Sequence, residues 1–133
     1  PVEAPGSTKM PFRCEGDVKV FEVTAGIVMS TFDRTYEPGP IYTWGYNGNN
    51  PGPVMEFLEG EKLKIIFKNE LPEQTTLHYH GLELPFNQDG AAGHSQLSVK
   101  PGESFVYEFQ VNQSGTFMYH SGENIAKQLS LGL

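Results

Sequence analysis

The sequence predicts a single all-β domain, an antiparallel sandwich of two sheets. Three observations carry that expectation. Fifteen Gly and ten Pro are spread along 133 residues rather than clustered, which suits short strands joined by tight turns and argues against a helical bundle. About eight short segments alternate apolar and polar residues between those turns. Nine Phe, six Tyr and one Trp supply apolar bulk, and the length has room for one sizeable core, not two.

Residues 1–16 carry Pro, Gly and charge without periodicity and read as an arm, leaving 17–133 for the domain. Alternation begins at DVKVFEV, with Val18, Val20 and Val23 expected on one side, and a second run follows in IVMSTFDR. A turn is expected at YEPGP, then a strand in IYTWGYNG that runs into a turn at Asn47-Gly48. Pro51-Gly52-Pro53 forces an extended crossing. In KLKIIFK the residues Leu63, Ile65 and Phe67 point inward, with Lys62, Lys64 and Lys68 outward. TTLHYHG is a further strand. SFVYEFQV places Phe105, Tyr107 and Phe109 on one face, and SGTFMYH is the last strand before a helical turn or two in ENIAKQLSL. The chain stops at Leu133, where a sandwich normally uses another strand to complete a sheet edge, so a domain fragment or a further tail is expected.

Sixteen acidic against nine basic residues give a net charge of −7. That excludes the basic footprint of a nucleic-acid binder and disfavours an anionic membrane surface, while it suits a cationic ligand. No run of about 18 apolar residues exists to span a membrane. The opening PVEAPGSTKM has neither the basic start nor the apolar stretch of an export signal. The one cysteine, Cys14, has no internal disulfide partner and is expected as a buried, inert thiol.

The four histidines fall at 78, 80, 94 and 120. Residues two apart on a strand share a face, so His78 and His80 project together while Leu77 and Tyr79 face the other way. Imidazole suits copper, zinc, iron and nickel; the competing reading is a pair of surface or core histidines. Asp89 sits before Gly90 and reads equally as a turn residue.

The stretch from WGYNG to FMYHSG resembles the amino-terminal cupredoxin domain of multicopper oxidases. The YNG…PGP turn, the EG turn before a strand, the LPEQTTLHYHG block, DG followed by Gln96, PGESFVYEF and GTFMYHS occur in order over residues 44–121. Residues 17–43 fit the family's opening strands more loosely, and the first 16 match nothing. The resemblance implies a cupredoxin-like Greek-key β-sandwich with copper as cofactor. It implies His78 as a type 2 copper ligand, His80 and His120 as type 3 ligands, and Asp89 as an acid that relays protons. It also implies a periplasmic or extracellular protein.

Three departures stand against the family pattern. The family usually reads YHSH, and Gly122 stands where the last histidine belongs. A type 1 centre needs a Cys thiolate beside two histidines, whereas Ser121 follows His120 and Cys14 lies far upstream. The family cluster forms between two cupredoxin domains, and this chain has one. His94, in GAAGHSQ, is either a solvated loop histidine or a replacement ligand. Met118 shares strand parity with His120 and is either a core filler or a thioether ligand. The expected function is therefore copper binding, with oxidoreductase turnover only alongside a second cupredoxin domain or in a homotrimer. A copper-tolerance protein without turnover, or an interaction scaffold with a decayed site, are the alternatives.

Overall fold

A computed structural model describes residues 8–30 and 39–133. Among the described residues seven strands run in order: β1 (Phe12–Glu15), β2 (Val18–Ser30), β3 (Ile41–Tyr46), β4 (Lys62–Asn69), β5 (Leu77–His80), β6 (Ser104–Gln110) and β7 (Met118–Ser121). A short 3-10 turn covers Phe86–Gln88, and a helix, α1, covers Ile125–Leu131. One sheet has the order β1-β2-β4-β6, with β3 also paired to β2; the other consists of β5 and β7. No helix among the described residues is long and apolar enough to cross a membrane.

The all-β sandwich holds, with one correction to its antiparallel character. β2 and β4 pair in parallel, from Val18 opposite Lys62 to Ala25 opposite Asn69. β3 runs antiparallel to β2, and the long Pro-rich crossing after it carries the chain back far enough for β4 to start beside the start of β2. Parallel neighbours need such a connection of a dozen or more residues.

Alternation in β4 is as expected: Leu63, Ile65 and Phe67 are buried, and Lys62 and Lys68 are exposed. Their face continues through Phe21 and Val23 on β2 and Tyr107 and Phe109 on β6. Each such large side chain contributes roughly 1.5–3 kcal/mol by leaving water. Val23 therefore lies with Phe21, not with Val18 and Val20, because a spacing of three reverses the face on a strand. Residues 27–30 of the second run continue the first into one long strand, β2, and residues 31–34 of that run lie outside the described residues.

The segment read as an arm supplies β1, whose four residues pair with Val18–Phe21. All four are exposed, so Cys14 is an exposed thiol rather than a buried one. An edge strand offers it no cover. The Asn47-Gly48 turn forms with both residues in the left-handed region, at φ 51° and 73°. The YEPGP turn falls at residues 36–40, of which 36–38 lie outside the described residues.

Candidate metal centre

β5 and β7 position the histidines by burying the residues between them. Leu77 and Tyr79 are buried against the large sheet. The Tyr79 ring stands edge-on to Tyr107 and Phe109, each with centroids 5.3 Å away. The Leu77 N–H donates to the Tyr107 hydroxyl at 3.1 Å. On β7, the Tyr119 hydroxyl donates to the Pro53 carbonyl at 2.6 Å. Slipping either strand by one residue would put these groups into solvent, so the core fixes the histidines on the opposite face.

The antiparallel register sets His78 against His120 and His80 against Met118. Ring centroids are 5.1 Å apart for His78 and His120, 5.5 Å for His80 and His120, and 5.8 Å for His78 and His80. One ring nitrogen from each histidine lies within 4.8 Å of the other two. His78 and His120 are half-buried and His80 is exposed.

Neighbouring carbonyls decide the tautomers. His78 Nδ1 lies 2.6 Å from the Asp89 carbonyl, and His120 Nδ1 lies 2.8 Å from the Ser121 carbonyl. A carbonyl only accepts, so both Nδ1 atoms donate and both Nε2 atoms of the neutral rings keep a free lone pair. His120 Nε2 in turn faces His80 Nδ1 at 3.2 Å. Orienting a ring through its second nitrogen is how proteins prepare imidazole ligands.

Asp89 is both a turn residue and a neighbour of the triad. It caps the Phe86–Gln88 turn, and its carboxylate lies 3.4 Å from His78 Nδ1. Gly90 permits this approach: its φ is +71°, and a Cβ there would lie 1.8 Å from the Leu77 carbonyl oxygen. The Thr76 hydroxyl ties the loop down by donating to the Gly90 carbonyl at 2.6 Å.

The other candidates separate from the triad. His94 is exposed in the Ala91–Gln96 loop, and the structure does not bring it to the three converging rings. Met118 is 63% exposed and, lying opposite His80, shares the histidine face. Gly122 is sterically committed, since a Cβ there would sit 2.2 Å from the Gly90 carbonyl oxygen and 2.5 Å from the Thr76 hydroxyl. Sequence reasoning missed Gln128, a fully buried residue of α1 that is hydrogen-bonded to Ser121 and Thr75. A polar residue on the inner side of a short helix was the available signal.

Residues 30–132 match the family model described as multicopper oxidase. Copper resistance protein A of Escherichia coli is 44% identical over 82 residues, which make up 62% of this chain and 14% of that protein. The structure of a multi-copper oxidase from Pseudomonas thermotolerans superposes with a TM-score of 0.82 at 38% identity, covering 87% of this chain and 28% of that one. A multi-copper oxidase from Pediococcus acidilactici gives a TM-score of 0.83 at 30% identity, covering 95% and 26%. The chain thus spans a small part of each relative's length.

Proposed function

The chain belongs to the multicopper oxidase family, and from that premise we propose that it contributes three ligands to a type 2/type 3-like copper site and has no type 1 site of its own. Copper is the cofactor of the family. The convergence of His78, His80 and His120, with ring nitrogens within 4.8 Å of one another, carries the reading. The donor set fits: imidazole suits copper, and the Asp89 and Ser121 carbonyls leave Nε2 of His78 and His120 free to ligate. Bound copper supplies one-electron redox chemistry with open positions for dioxygen.

In this reading His78 is the type 2 ligand, and His80 and His120 are type 3 ligands. The Asp89 carboxylate, 3.4 Å from His78 Nδ1, accepts and passes on protons beside the site. Three imidazoles leave coordination unfilled, and Gly122 has no side chain to add. A second cupredoxin domain or copies in a homotrimer supply the remainder, and the exposed His80 and Met118 support a neighbour on that face. Turnover as a copper-dependent oxidoreductase belongs to that assembly, which works in the periplasm or outside the cell. A second reading, copper tolerance without turnover, draws support from the name of the Escherichia coli relative.

Metal analysis and sedimentation of the metal-free and copper-loaded protein test the proposal. Copper bound through the triad, without intense blue colour and unchanged by Cys14→Ser, is the expected result. Failure to bind copper, or a blue band that Cys14→Ser removes, overturns it. A monomer in both states that binds copper tightly leaves the copper-tolerance reading.

A further inference from the structure

Gln128 projects from α1 into the protein with no exposed surface. A buried amide is costly unless both of its ends are paired, and here both are. Its oxygen accepts the Thr75 hydroxyl at 2.7 Å and also the Ser121 hydroxyl. Its nitrogen donates to the Glu73 carboxylate at 2.9 Å and to the Gln74 carbonyl at 3.0 Å. Both acceptor sites and both donor hydrogens of the amide are therefore used.

These partners come from two pieces of chain. Residues 73–75 lead into β5, and Ser121 ends β7, opposite Leu77 in the ladder. One side chain thus ties the two histidine strands together at the same end, one rung from the His78–His120 pair. Ser121 is also the residue whose carbonyl accepts the His120 Nδ1–H, at 2.8 Å. Movement of Ser121 would release that bond and, with it, the reason for His120 to present an unprotonated Nε2 towards His78 and His80.

We infer that Gln128 is a positioning residue for the metal centre, holding Ser121 so that His120 keeps one tautomer and one ring orientation. The inference rests on the reading of the triad as copper ligands, yet its first consequence is a property of the metal-free protein. Gln128 touches no ligand nitrogen. It acts through Ser121, as outer-shell partners do when they orient a ligating histidine.

Gln128→Leu keeps the bulk and removes the amide; Thr75→Val removes one hydroxyl from the clamp and leaves Gln128 in place. The test compares both with the unaltered chain by nitrogen-15 NMR of the His120 ring without metal, and by titration with Cu(II) ion alone. Circular dichroism fixes a temperature at which each protein is folded. The expected result is a single Nδ1–H tautomer in the unaltered chain, a mixed population in Gln128→Leu, and a smaller change of the same kind in Thr75→Val. Cu(II) affinity falls about 10- to 100-fold in Gln128→Leu while the fold persists. A single His120 tautomer and unchanged Cu(II) affinity in Gln128→Leu overturn the inference. If that variant does not fold, the same result in Thr75→Val overturns it. An unaltered chain that fails to bind Cu(II) sinks the copper reading instead, and the tautomer populations then decide this one.

Discussion

His78 and His120 face each other across the β5–β7 ladder with ring centroids 5.1 Å apart, and each donates its Nδ1 proton to a main-chain carbonyl, of Asp89 and Ser121 respectively. A turn residue and the last residue of β7 therefore aim two imidazoles at one point. The proposed copper site is built on that pairing.

Single replacements should separate ligands from bystanders. His78→Ala and His120→Ala each weaken copper binding by more than the roughly 10- to 100-fold that loss of an outer-shell partner costs. His94→Ala leaves binding unchanged, because His94 is exposed in its own loop. Competitive titration of the three variants measures this directly.

Restoring the family's histidine should fail. In Gly122→His the new Cβ meets the Gly90 carbonyl oxygen at 2.2 Å, and the backbone has to open to admit it. Overpacking of this kind costs roughly 1–3 kcal/mol. A lowered melting temperature with no added copper per chain is the expected outcome, read by calorimetry and metal analysis.

Alkaline conditions should unfold the domain through its buried tyrosines. Burial pushes the Tyr107 hydroxyl up from its ordinary 10 to about 12, and burial raises Tyr46, Tyr79 and Tyr119 as well. The folded state holds these protons while the unfolded chain releases them. Stability is thus intact below pH 10 and declines as pH rises towards 12, by about 3 kcal/mol for Tyr107 alone. The tyrosinate absorbance of the buried Tyr46, Tyr79, Tyr107 and Tyr119 should appear together with loss of the β-sheet signal, not ahead of it.

Acid should loosen α1 first. The Lys127 ammonium, and then the Gln128 amide, hold the Glu73 carboxyl below its ordinary 4.5. A lowered folded value means that the stabilisation is present above 4.5 and is lost as pH falls through the folded value. Amide exchange should therefore accelerate in residues 125–131 below about pH 4.5, with β4 still protected. Glu73→Gln should remove that acid sensitivity.

Much of the architecture was legible because it is written in a two-residue period. KLKIIFK and SFVYEFQV gave their inward faces directly, and HYH gave two of the three converging histidines. The parallel pairing of β2 with β4 was not legible, since alternation fixes which face is buried and says nothing of which strand lies alongside. Val23 faces away from Val18 and Val20 because a spacing of three reverses the face of a strand. Cys14 was misjudged from composition, which carries no knowledge of sheet edges. Gln128 was not legible because three of its four partners, Glu73, Gln74 and Thr75, lie more than 50 residues away in the chain, and the space at Gly122 is filled by the Gly90 carbonyl, which no sequence pattern marks.

The alternation of β5 and β7 divides their residues between two kinds of selection. Leu77, Tyr79, Tyr119 and Ser121 answer to folding, while His78, His80, Met118 and His120 answer to what arrives from outside. Changes in the second series leave the first untouched. The histidine face can therefore be altered one residue at a time while the chain still folds.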